Sequence, residues 1–143
     1  MVVTRYIQVP TEGNSEVVNI TPRVSRESAA SGVLNGTVTL FVAGSTAALT
    51  TIEFEPGVVS DFRDFWTRNA PTNIVYKHDQ TWGDGNGHAH VRASAQGPSL
   101  TVPVVHGNLI LGTWQQLVLV DFDIRPRTRE VILQFMGEGK AAR

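Results

Sequence analysis

The sequence has no cysteine, no surplus of basic charge and no apolar run long enough to span a bilayer. The first absence removes disulfide frameworks, thiolate nucleophiles and thiolate-bound zinc together, leaving His, Asp and Glu as the strong metal ligands. The second argues against a nucleic-acid partner. Twelve Lys+Arg stand against 13 Asp+Glu for a net charge of -1, and the basic residues form nothing denser than the spaced Arg125, Arg127 and Arg129. A nucleic-acid-binding domain carries a basic surplus instead. The third absence, with an N-terminus that lacks a basic segment followed by an apolar core and cleavage site, sets the expectation of no membrane partner and a cytoplasmic location. What is present is 143 residues, 41% of them hydrophobic, enough for a single domain, 1–143, with a core of its own.

Chemistry-bearing residues concentrate in one stretch. Of 4 histidines, His78, His88 and His90 fall between Tyr76 and His90, among Gly83, Gly85 and Gly87 and beside Asp79 and Asp84. Three neutral imidazoles suit a divalent transition metal, zinc first, with a coordination position left for water or substrate. The spacing matches no helical metalloprotease signature, so a site here would be built by a loop whose glycines let the backbone approach a ligand. The other reading is a polar loop whose histidines meet only water and backbone. Val91 to Gln96 reads as helix, capped by Gly97 and followed by Pro98. Residues two apart on a helix point about 200° away from each other. His88 and His90 therefore meet at one metal only if His88 lies at or before the helix start, or if the segment is extended.

Along the chain, Val2 to Val9 reads as a strand, Thr11 to Ser15 as a turn and Val17 to Ile20 as a returning strand, most simply a hairpin. Thr21-Pro22 opens a helix that ends before Gly32. Gly36 to Val42 and Ala47 to Phe54 are β-prone. Pro56 begins a helix whose Val59, Phe62, Phe65 and Trp66 form one apolar face. Ile74 to Tyr76 is extended. Leu100 to Val105 and Asn108 to Leu111 form a hairpin about His106-Gly107, which makes His106 a turn residue. Leu117 to Val120 is continuously apolar, as a strand buried on both faces would be, and Glu130 to Phe135 has the same character. The tail from Gly139 to Arg143 is expected to fray. The fold class is α+β, a mainly antiparallel β-sheet or sandwich with two or three helices.

Several motifs in one order also carry a resemblance. Tyr76-Lys77-His78-Asp79, the run Gly87-His88-Ala89-His90-Val91-Arg92-Ala93-Ser94, Gly97-Pro98-Ser99-Leu100-Thr101-Val102-Pro103-Val104 and Leu111-Gly112-Thr113-Trp114-Gln115-Gln116 together resemble the YjbQ-like family of small proteins. The resemblance covers nearly the whole chain. It implies a β-rich α+β subunit assembled as a homotrimer, with a metal-capable pocket. It also implies thiamine-phosphate synthase activity, the joining of a pyrimidine diphosphate to a thiazole phosphate.

Position by position, His78 matches the family's Tyr-x-His histidine, His90 its Ala-His histidine, Glu53 an acid after the Thr-Thr-Ala-type stretch, Asp61 an acid in the next helix and Gln115 the end of Gly-Thr-Trp-Gln. Gly44 departs from the pattern, standing where many relatives have a histidine, and His88 is the candidate replacement. The metal site so implied is His78, His88 and His90. Glu53 would be the general acid or base, with Thr46 and Gln115 beside it. Ser45, Arg92, Ser94 and Arg125 would bind the small phosphorylated substrate, since guanidinium groups suit oxyanions. The competing expectation is a non-catalytic homo-oligomer that binds a metal or small anion.

Overall fold

The computed structural model describes residues 1–140. In chain order the elements are β1 (Val2–Thr11), β2 (Glu16–Asn19), α1 (Thr21–Ser31), β3 (Val33–Val42), β4 (Ala47–Glu53), α2 (Pro56–Asn69), α3 (Lys77–Trp82), α4 (Gly87–Gln96), β5 (Ser99–Val105), β6 (Asn108–Leu109), β7 (Gln115–Asp121) and β8 (Arg127–Gly139). The strands form a five-stranded sheet in the order β1-β8-β3-β5-β6 and a three-stranded sheet in the order β2-β7-β4. Every pairing is antiparallel, as the α+β reading expected.

Alternation along the strands explains the layers. Inward residues of the larger sheet, among them Ile7, Leu40, Val102, Leu133 and Phe135, meet Leu49, Leu117 and Leu119 of the smaller sheet and Ile20 and Val24 at the start of α1. The other face of the smaller sheet presents Ala48, Val118 and Val120 to Trp66, Ala70, Ala89 and Ala93 from the α2 and α4 side. Leu117 to Val120 are each 0% exposed because they contribute alternately to these two cores. Burying one such side chain is worth about 1.5–3 kcal/mol, so β7 is the most heavily stabilised strand per residue. The subunit covers both faces of β7 by itself, and its apolarity therefore needs no second copy.

Two expectations are corrected. The strands expected as an N-terminal hairpin do not pair: β1 lies against β8 and β2 against β7, in different sheets. The connection between them runs through Gly13, Asn14 and Ser15, all with positive φ, and the amides of Asn14 and Ser15 bond to the carbonyls of Asp123 and Asp121. That turn transfers the chain between layers instead of reversing it within one. There are also four helices among the described residues, because the six residues Lys77–Trp82 close a helix too short to show a periodicity.

The β5–β6 hairpin forms as expected, with His106 at φ 49 and Gly107 at φ 78, the left-handed pair of a tight hairpin turn. Of the expected frayed tail, Gly139 is paired with Val33 at the end of β8, Lys140 is exposed beyond it, and residues 141–143 lie outside the described residues. No helix among the described residues is long and apolar enough to cross a membrane.

Candidate functional site

Helix α3 and the start of α4 are held as a compact corner by local rules. The Gly83 amide closes α3 on the Asp79 carbonyl at 2.7 Å with Gly83 left-handed at φ 64. Gly87 opens α4 against the Tyr76 side chain, where an added Cβ would lie 2.4 Å from the Tyr76 Cβ. No other residue fits there without moving the corner. Tyr76 is itself tethered by its hydroxyl, which donates to the Pro71 carbonyl at 2.6 Å.

Inside the corner, His78, Asp79 and Asp84 each offer a ligand atom, and these atoms lie within 4.8 Å of one another. The His78 Nδ1 is 3.5 Å from the Asp84 Oδ1 and 3.7 Å from the Asp79 Oδ1. It is buried and, among the described residues, without a hydrogen-bond partner. The carboxylates are oriented by backbone: the Gly87 amide donates to the Asp79 Oδ1 and the Asn86 amide to the Asp84 Oδ1, both at 3.1 Å. The His90 ring lies beside that of His78, centroids 4.2 Å apart. Burial first, and then the neighbouring His78, lower the His90 pKa, so this imidazole is neutral at pH 7.

His88 does not join them. Helix α4 begins at Gly87, four residues earlier than the sequence suggested, and carries both His88 and His90 in its first turn. Helical phase then sends them to different sides, which corrects the expected His78, His88 and His90 set. His88 is 4% exposed and lines a separate cavity with Asn14, Ser15, Arg63, Thr67, Thr72 and Arg92. Burial and then the Arg92 cation lower its pKa.

The remaining expected site residues are dispersed. Thr46 is buried and saturated: its hydroxyl donates to the Asp123 Oδ2 at 2.9 Å and accepts from Arg129. It is part of the scaffold and has no free group for catalysis. Ser45 is exposed beside it. Glu53 and Gln115 are cross-strand partners at the far end of the smaller sheet, whereas Ala47 and Asp121 pair at the end nearer the histidines. Six residues of strand separate the two ends, about 20 Å at ~3.3 Å per residue. Within one chain Glu53 is therefore not the acid or base of the histidine corner. Gln115 is occupied in accepting from the Gly112 amide and donating to Thr51, both at 3.0 Å. The Ser94 hydroxyl donates back to the His90 carbonyl within α4 at 2.7 Å. Arg125 is exposed on the β7–β8 connection.

Sequence reasoning passed over Asp79 and Asp84 as ligands and Asp121, Asp123 and Arg129 as framework. The Arg129 guanidinium grips Asp121 with two bonds, Nε to Oδ2 at 2.7 Å and Nη2 to Oδ1 at 3.0 Å. Asp123 accepts the Asn86 side-chain amide at 3.1 Å and so ties the histidine corner to the start of the β7–β8 connection. Burial alone would raise the Asp123 pKa, but bonds from the Arg125 amide, Asn86 and Thr46, with the Arg127 charge, outweigh it and hold the carboxyl below its ordinary 3.8. The alternation of Asp121-Phe122-Asp123 with Arg127-Thr128-Arg129 was the available signal.

The sequence and the fold have close counterparts. The family model of the UPF0047 YjbQ-like proteins matches residues 5–138. A UPF0047 protein of Archaeoglobus fulgidus is 39% identical over 121 residues, covering 83% of this chain and 90% of its own length. Another, from Methanothermobacter thermautotrophicus, is 33% identical over 137 residues, covering 96% and 94%. The crystal structure of a protein of unknown function from Sulfolobus solfataricus superposes with a TM-score of 0.91 at 34% identity, covering 96% of this chain and 99% of that one.

Proposed function

The chain belongs to the UPF0047 family of YjbQ-like proteins, and from that premise we propose that it is a metal-assisted enzyme acting on a small phosphorylated substrate, with His78, Asp79 and Asp84 as the metal ligands. The observation that carries this reading is the His78 Nδ1, a buried ring nitrogen without a partner among the described residues, which faces two carboxylate oxygens. An unsatisfied buried polar atom costs about 1–3 kcal/mol, and a cation at this point removes that cost while balancing both carboxylates. The spacing supports it. Ligand atoms at ~2.1 Å from a tetrahedral ion stand about 3.4 Å apart, and the two separations from His78 are 3.5 and 3.7 Å.

One nitrogen and two carboxylate oxygens suit zinc or a neighbouring divalent metal. Such an ion, when bound, polarises a phosphoryl oxygen or lowers the pKa of a bound water. The chain's own contribution is positional. The Asn86 and Gly87 amides fix the carboxylates, and neutral His90 stands ready to accept a proton beside them. Joining a pyrimidine diphosphate to a thiazole phosphate is the first reaction to assay, and a homotrimer the assembly to look for. Self-association is supported by Tyr6, Ile132 and Phe41, which pair across three adjacent strands of the larger sheet, Tyr6 and Phe41 remaining 59% and 43% exposed.

The second reading, a non-catalytic metal- or anion-binding homo-oligomer, is favoured by the distance of Glu53 and Gln115 from the corner. Calorimetric titration of zinc into metal-stripped protein tests the metal site. Near-stoichiometric binding that disappears in His78→Ala and persists in His88→Ala is expected, and equal binding by His78→Ala would defeat it. Turnover of phosphorylated substrates by zinc-loaded protein then separates enzyme from binding protein.

A further inference from the structure

The cavity on the other side of α4 has a chemistry of its own. Its volume is about 280 Å³, and its floor is made by Ser15, His88 and Arg92, each no more than 5% exposed. Arg92 donates from Nε to the Ala70 carbonyl at 2.9 Å and from Nη1 to the Ser15 hydroxyl at 2.8 Å, while Nη2 has no partner among the described residues. Arg63 reaches in from α2 and donates from Nε to the Ser15 carbonyl at 2.9 Å, leaving both of its Nη groups free among the described residues. Ser15 therefore orients both guanidinium groups, one through its hydroxyl and one through its carbonyl.

No carboxylate of the described residues balances them. Among the described residues, neither Arg63 nor Arg92 belongs to any ion pair, whereas Arg129, Arg127 and Arg5 all do. None of the residues lining the cavity is acidic. A buried guanidinium without a counter-charge is among the least favourable arrangements a folded chain can hold, and it is stabilised when an anion arrives from solution. The planar fork of each guanidinium matches the oxygens of a phosphoryl group, and two cations balance a phosphate dianion. The open hydroxyl of Thr72 adds a donor at the rim.

We infer that the cavity lined by Ser15, Arg63, His88 and Arg92 is a phosphate-binding site, which anchors the phosphoryl group of a small phosphate monoester independently of the metal corner. This deepens the reading above, on which it rests only for the substrate being phosphorylated. The site needs no metal, because its charge is supplied by the two arginines.

Inorganic phosphate is the probe, titrated by calorimetry into the full chain with excess chelator present. Saturable binding is expected in the parent and in His78→Ala. It should weaken at least about 10-fold in Arg63→Ala, through loss of charge-assisted hydrogen bonds. Arg92→Lys, which keeps the charge but not the fork, should weaken it comparably. Arg63 lies at the exposed rim, so its replacement reports on binding even if a change at Arg92 disturbs folding. No phosphate binding by chelated parent, or equal binding by Arg63→Ala, overturns the site and leaves the metal reading standing. Phosphate binding that needs added zinc and vanishes in His78→Ala also overturns it, placing the anion at the metal corner. Loss of zinc binding with phosphate binding intact removes the metal reading alone.

Discussion

Asp121 and Asp123 on one side of Asn86, and Asp79 and Asp84 on the other, are two pairs of carboxylates in opposite circumstances. The first pair is closed: Arg129, Thr11, Thr46, Asn86 and backbone amides occupy its oxygens, and both side chains are almost wholly buried. The second is partly exposed, receives one backbone amide per residue, and faces a histidine nitrogen that bonds to nothing among the described residues. Similar residue types thus serve as framework where every bond is made, and as a candidate site where bonds are left over. The same distinction separates Arg129 from Arg92, one gripping a carboxylate and the other meeting only neutral oxygens.

The comparison is broken most severely by removing the cation from the closed pair. Arg129→Met leaves Asp121 buried and uncompensated, and should cost about 3–5 kcal/mol in urea denaturation. The open pair should respond in the other sense. Asp84→Asn is expected to weaken zinc binding about 100-fold, measured by calorimetry, while the unfolding midpoint of the metal-free protein hardly changes.

Acid sharpens the contrast. The Asp123 pKa is lowered in the folded state, so its contribution to stability is complete above the ordinary value of 3.8 and is lost as pH falls below it toward the depressed value. Asp123→Asn should therefore be less stable than the parent at pH 6 and lose less of its stability between pH ~4 and ~2, read from denaturation at each pH. The smallest effect is expected at the other end of β4, where Glu53→Gln should leave zinc and phosphate affinities within about 2-fold of the parent. A large loss there would require Glu53 to meet the corner through another copy of the chain.

Much of this was legible in the sequence, for identifiable reasons. The His106-Gly107 turn and the apolar run Leu117 to Val120 depend on local chemistry, and both formed as expected. The clustering of His78, His88 and His90 among glycines located the histidine segment. Partnership was less accessible. Nothing local distinguishes a turn that reverses Val9 toward Val17 from one that moves the chain to a second sheet, because the deciding bonds are made to Asp121 and Asp123, more than a hundred residues away. His88 and His90 were separated by a helix start displaced by four residues, a small error in boundary that turns a side chain to the opposite side. Glu53 looked near Thr46 in sequence, and a fully extended strand carried it away.

Strand β8 lies between β1 and β3, and among the described residues β1 has no other strand partner: Val2 stands opposite Met136. While the chain is being made, β1 must therefore wait, edge unpaired, until β8, more than a hundred residues later in the chain, has left the ribosome. Folding of the larger sheet is consequently a late, all-at-once event with a long loop to close, and slow by comparison with helical proteins of this length. Removing Val131 to Gly139 would take away the middle of that sheet and release strands on both sides, so an unfinished chain has no smaller version of the fold to rest in.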